Sequence, residues 1–267
     1  MPAPDWELPH FILISPARAD SGSTPSIREE SLVKAWMQAI TTLPSNLQTH
    51  FTVLEGKLSS LPPDRLRCDC VVSPANSFGI MDGGYDLALS LAFQGQGTDG
   101  TKTLSRHVQR ALGARWHGYL PPGSCLITSL PSASDVKDGG GDRNPFGASC
   151  IAVLPTMRYP VDVRWHLDLV YNAVWSLLVE LERWNAEAGV RNSTSTHDGP
   201  DTKTTRRTIE RVLMTGLGTG YGKISAARCA QQMILAIKHF ARGGVPEDAE
   251  WANVDSLIKE VNATLEL

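Results

Sequence analysis

At 267 residues, 42% hydrophobic and 20% charged, the chain is long enough to bury a substantial core and is read as one domain spanning 1–267. A formal charge of -3 and a pI near 6.2 give no strong nucleic-acid signature. No apolar run approaches the roughly 20 residues that cross a bilayer, and the N-terminus lacks the basic-then-apolar order of a secretory signal, so an intracellular protein, cytoplasmic or nuclear, is expected.

Phe11 to Ile14 is a continuous apolar run, the pattern of a strand buried on both faces. Ser26 and Glu29 have the spacing of a capping box, and Leu32, Val33, Trp36, Ala39 and Ile40 recur at helical intervals until Pro44. Residues 50–55 alternate like a strand, and 68–73 form another buried one. Strand, helix, strand, strand is an α/β order.

The strand over 68–73 runs into Ser73-Pro74-Ala75-Asn76. Pro74 has no N–H and biases Ser73 to extended geometry, so the chain turns out at the sheet's carboxyl edge, where open α/β sheets bind ligands. Gly79, Gly83 and Gly84 allow close backbone approach, and Asn76 offers an amide suited to sugar hydroxyls. Tyr85 and Asp86 follow, and Asp82 and Asp86 stand beside the positive end of a helix predicted over 87–93. A plainer reading stands next to this one, in which the acids only cap the helix and Asn76 only holds the turn.

Residues 95–100 read as flexible, 103–112 as a helix and 121–128 as a turn feeding a strand. The Gly/Asp-rich stretch 132–147 is a lid or a solvated insertion. A strand over 150–154 precedes the longest predicted helix, 163–188, whose Trp165, Tyr171, Trp175 and Trp184 are expected to pack in the core and which Gly189 should end. Residues 191–205 look like a polar linker carrying part of a basic cluster, Lys203 to Arg211, expected to face solvent. The last strand, 211–215, leads to helices over 225–240 and within 246–267.

Between that strand and the next helix lies Gly216-Leu217-Gly218-Thr219-Gly220-Tyr221-Gly222. An ATP-type P-loop would need Gly and Ser or Thr where Leu217 and Ile224 stand, and a dinucleotide fingerprint belongs to an earlier unit followed by another strand. What fits is a glycine loop whose N–H groups face a diphosphate at a helix start, with the Thr219 hydroxyl beside it. Tyr221 either covers a bound sugar or ring, or packs on its own loop. The sequence holds no metal cluster, cofactor motif or nucleophilic triad. Five cysteines in apolar contexts read as reduced thiols.

Together, Val72 to Asn76, Gly83 to Asp86 and Thr215 to Gly222 resemble the macrodomain family, a divergent macro-like branch of it, over about 51–240. The resemblance implies a three-layer α/β/α sandwich with a central mixed sheet, to which 10–43 and 247–265 are extensions. It also implies ADP-ribose or an ADP-ribosylated substrate as partner, and hydrolysis of ADP-ribosyl linkages or ADP-ribose 1''-phosphate; the alternative is a non-catalytic reader. By the same resemblance Asn76 would hold the distal ribose, Asp86 would position or activate water, with Asp82 second, and Ser73, Ala75, Gly83, Gly84, Tyr85, Gly218, Thr219, Gly220, Tyr221 and Gly222 would contact the ligand. Lys57 stands where the family usually has an acid that accepts from the adenine amino group, and Asp82 where it more often has glycine.

Overall fold

The computed structural model describes residues 7–16, 31–94, 102–130, 144–194, 207–245 and 248–267. In chain order its elements are β1 (His10–Ser15), α1 (Leu32–Ile40), the single turn α2 (Ser45–Gln48), β2 (Phe51–Glu55), β3 (Cys70–Ser73), α3 (Gly84–Ala92), α4 (Lys102–Trp116), β4 (Leu126–Ser129), β5 (Cys150–Val153), α5 (Leu169–Thr194), β6 (Arg211–Met214), α6 (Ala226–Ala241) and α7 (Trp251–Asn262).

The strands form one sheet in the order β2-β1-β6-β3-β5-β4. Every pairing is parallel except β4 with β5, so the sheet is mixed. β1 is an inner strand, bonded to β2 on one side and β6 on the other, which is why Phe11 to Ile14 carry no polar residue. Both its faces are covered.

Alternation along each strand then sorts the core into two layers. Phe11, Leu13, Cys70, Val72, Val212 and Met214 face α1, α5 and α6, while Ile12, Ile14, Val71, Leu213, Ile151 and Val153 face α3 and α4. The result is an α/β/α sandwich. On the first side Trp36 is fully buried and its Nε1–H donates to Sδ of Met233. On the second, Leu89 of α3 and Leu104, Val108 and Leu112 of α4 complete the layer. α7 closes on α6 through Gln232, whose amide donates to the Thr264 hydroxyl, and through the Lys238–Glu260 ion pair. All five cysteines are buried and free, and burial pushes the Cys68 and Cys229 thiols up to about 12.

Several expected boundaries move. The long helix begins at Leu169 instead of 163, because Val163 donates its N–H to the Gly222 carbonyl and the segment up to 168 makes turns. Trp165, expected in the core, is therefore 75% exposed and stacks on His166. Gly189 does not end α5, since one interior glycine costs only about 1 kcal/mol in a helix this well packed. The helix predicted over 103–112 runs on to Trp116. Arg207 and Arg211 of the basic cluster are exposed. The Ser26–Glu29 capping box, 95–100, most of 132–147, and Lys203 with Arg206 lie outside the described residues.

Candidate functional site

Parallel strands leave their carboxyl ends on one edge of the sheet, and the segments leaving β1, β2, β3, β5 and β6 meet there. Ser15 and Pro16, Lys57 to Ser59, Pro74 to Asn76, Thr156 and Met157, and Thr215 and Gly216 all line a single cleft of about 750 Å³. Thr215 ties two of these ends together by donating its hydroxyl to the Ile14 carbonyl at 2.8 Å.

The two glycine loops, far apart in sequence, form opposing walls. From the β3 loop come Ala75, Asn76, Asp82, Gly83, Gly84, Tyr85 and Asp86; from the β6 loop come Gly218, Thr219, Gly220 and Tyr221. They approach so closely that a Cβ placed on Gly83 would stand 3.9 Å from Cε2 of Tyr221. Tyr221 is 68% exposed and borders this gap.

Each loop has its own reason for glycine. Gly84 opens α3 at φ +55 with no side chain capping the helix, so the start of α3 meets the cleft as bare backbone. Gly218 is at φ +69 with Ile224 packed against it, and its carbonyl accepts the Ile224 N–H at 3.1 Å. Gly220 differs from both. Its φ is not left-handed and nothing lies within 4 Å of where a Cβ would be, so it faces open cleft. Gly222 lies behind the loop, where a side chain would collide with the Gly218 carbonyl, and does not reach the cleft wall.

Asp86 comes from the first turn of α3 and Ser73 from the end of β3. The Ser73 hydroxyl, fully buried, donates to Oδ1 of Asp86 at 2.6 Å. Burial raises the Asp86 carboxyl to about 7; the Ser73 hydrogen bond opposes that rise and the charge of Asp82 adds to it. Ser73 thus supports the site from beneath without lining it. Asp82 is exposed at the cleft rim.

Asn76 is already engaged. Its Oδ1 accepts the N–H groups of Phe78 at 3.1 Å and Ile80 at 3.3 Å, and its Nδ2 donates to the Ile80 carbonyl at 2.7 Å. The amide holds the turn, as the plainer reading expected, and retains one further N–H for the cleft. The Tyr85 hydroxyl is buried without a partner among the described residues, so only the tyrosine's flank meets the cleft wall.

Sequence reasoning missed the segment after β5. Met157 bridges to Asn76, Ser77 donates its N–H to the Met157 carbonyl at 3.0 Å, and the buried Thr156 hydroxyl at the cleft has no partner among the described residues. The signal that finds it is the one applied to Ser73: a buried parallel strand ending in proline, here Val153-Leu154-Pro155, delivers its next residues to the ligand edge. Ser15 with Pro16 obeys the same rule after β1. Among the described residues no cluster of His, Cys, Asp or Glu is arranged to hold a metal, and no helix is long and apolar enough to cross a membrane.

The fold and the site together define an α/β/α sandwich with a two-loop cleft at its carboxyl edge. No protein-family model matches the chain. Among solved structures it is similar to macrodomains. The macrodomain of Mycobacterium tuberculosis DarG is 14% identical, with 65% of this chain and 83% of that one covered at a TM-score of 0.38. An Oceanobacillus iheyensis macrodomain with ADP is 16% identical, over 63% and 70% at 0.38, and one with MES bound is 14% identical, over 79% and 89% at 0.42.

Proposed function

We propose that the cleft binds ADP-ribose and that the protein is a divergent macrodomain hydrolysing an ADP-ribosyl linkage or ADP-ribose 1''-phosphate. The observation that carries this reading is the meeting of the two glycine loops across one cleft, Gly83 against Tyr221, with Asp86 within it. Backbone N–H groups of Gly218 to Gly220, with the Thr219 hydroxyl, suit a diphosphate, whose two charges need donors that the net-acidic chain does not supply by bulk electrostatics. Asn76, Asp82 and Asp86 lie on the opposing wall, where the terminal ribose is then placed.

Hydrolysis at an anomeric carbon passes through an oxocarbenium-like state. A carboxylate in that position orients water and stabilises the developing positive charge. In the step we assign to Asp86, the water oxygen bonds to the anomeric carbon as the bond to the acceptor breaks, the acceptor leaves with the electron pair, and Asp86 takes the proton the water sheds. A carboxyl near 7 is matched to that exchange at neutral pH. Ser73 holds it in place.

Calorimetry with ADP-ribose, together with turnover assays on an ADP-ribosylated protein and on ADP-ribose 1''-phosphate, for the wild-type protein and Asp86→Ala tests both halves. Binding in both, with hydrolysis lost in Asp86→Ala, is the expected result; absence of heat in the wild type removes the ligand assignment, and unchanged turnover in the variant removes Asp86. One observation favours a non-catalytic reader: Asn76 uses most of its amide on its own loop and so grips a ribose less firmly. Micromolar binding with no turnover of any ADP-ribosyl linkage decides for it.

A further inference from the structure

Charge is distributed unevenly along the cleft. Among the described residues that line it, the anions Asp82 and Asp86 come from the loop after β3, and the one cation, Lys57, comes from the loop after β2. In the sheet order these strands are separated by β1 and β6, so three strand spacings, about 14 Å, lie between the two ends. The β6 glycine loop stands between them.

Lys57 is exposed. Its backbone is pinned, the N–H donating to the Ser60 hydroxyl at 3.0 Å and the carbonyl accepting from the same hydroxyl at 3.0 Å, while its ammonium has no ion pair among the described residues. Pro16, Leu32 and Leu58 provide apolar surface beside it and Ser59 a hydroxyl. If the terminal ribose lies by Asp86 and the diphosphate on the β6 loop, the nucleoside runs toward Lys57. An ammonium in contact with water gains little from a neutral carbonyl and more from a phosphate, with which it forms a charge-assisted hydrogen bond.

Resting on the ADP-ribose reading above, we propose that Lys57 receives a phosphate monoester on the nucleoside ribose, so that the preferred ligand is a phosphorylated ADP-ribose. Such an exposed pair at low salt gives a preference of roughly three- to fivefold, weakening as salt screens it.

Calorimetric titration of ADP-ribose, ADP-ribose 2'-phosphate and the hypoxanthine analogue of ADP-ribose into wild type, Lys57→Met and Lys57→Glu, at low and at physiological salt, tests this. The expected result is a wild-type preference for the 2'-phosphate that disappears in Lys57→Met and reverses in Lys57→Glu, with ADP-ribose itself bound almost equally by wild type and Lys57→Met. Equal wild-type affinity for ADP-ribose and its 2'-phosphate, or a preference that survives Lys57→Met, overturns the role of Lys57 and leaves the ADP-ribose site standing. Tighter binding of the hypoxanthine analogue that depends on Lys57 also overturns it, by assigning the lysine to the base. Absence of heat with all three ligands removes the site and the inference together.

Discussion

Ser73 and Asp86 are thirteen residues apart in sequence and 2.6 Å apart in space, one ending a buried strand and the other in the first turn of the helix that the same loop delivers. The hydroxyl favours the ionised carboxyl and burial disfavours it, and burial prevails. Fold and site are therefore linked through one titration.

The sign of that linkage is opposite to the usual one for a carboxylate. A folded-state value of about 7 lies above the unfolded 3.8, so at pH 5 the native protein holds a proton the unfolded chain has released, and stability falls as pH rises from about 4 to 7. Above pH 7 the buried charge costs at most about 4 kcal/mol, reduced by whatever relaxation the site allows. Asp86→Asn keeps the acceptor for Ser73 and removes the charge. It should melt near the wild-type temperature at about pH 3.5, somewhat above it at pH 5 and several degrees above it at pH 8.5; an equal or lower melting temperature at pH 8.5 contradicts the raised value. This test does not depend on any ligand.

Ser73→Ala deletes the hydrogen bond that holds the Asp86 value down against burial. A hydrogen bond to a charged group is worth about 1.5–3 kcal/mol, so the Asp86 titration should move up by about 1–2 pH units. With Asp86 acting as base, hydrolysis rises with pH through about 7 in the wild type and through a higher pH in the variant. A pH–rate limb that stays put separates Ser73 from the chemistry.

Some of this was readable from residues and some was not. The inner strands were legible because a strand covered on both faces has no room for polar side chains, as in Phe11 to Ile14 and Cys150 to Val153. The antiparallel direction of β4 was not, since Leu126 to Ser129 would read the same in either direction. The two glycine loops announced themselves by spacing, and they do converge. For Asn76 the residues left two readings open, an amide offered to a sugar and one that holds the turn, and only the turn geometry shows it bonded to Phe78 and Ile80. The start of α5 was misplaced because hydrophobic period continues through Val163 and Leu167, while the Gly222 carbonyl takes the Val163 N–H.

Two glycines of the same loop should respond in opposite ways. A Cβ at Gly220 meets no atom within 4 Å and the position needs no left-handed backbone, so Gly220→Glu should fold and melt as the wild type does while placing a carboxylate where the diphosphate is proposed to lie, and ADP-ribose binding should fall at least tenfold. Gly222→Ala drives its methyl into the Gly218 carbonyl and against Val163, and should lose about 1–3 kcal/mol of stability. Melting curves and calorimetry on the pair check this. Normal ADP-ribose affinity in Gly220→Glu relocates the diphosphate.

Tyr221 tests whether the ring beside Gly83 contacts ligand. Its ring is mostly exposed, so Tyr221→Ala removes almost no packing and stability should change by no more than about 0.5 kcal/mol. If the ring covers the bound sugar or base, its loss costs about 1–2 kcal/mol of binding, a fall in affinity of roughly five- to thirtyfold, and Tyr221→Phe recovers most of it because the contact is made by the face of the ring. Phenylalanine failing to rescue would assign the contact to the hydroxyl instead, and an alanine variant with unchanged affinity would show that the ring only borders the cleft. Because the ring lies against Gly83, Gly83→Val should reproduce the loss from the opposite wall by occupying the same gap.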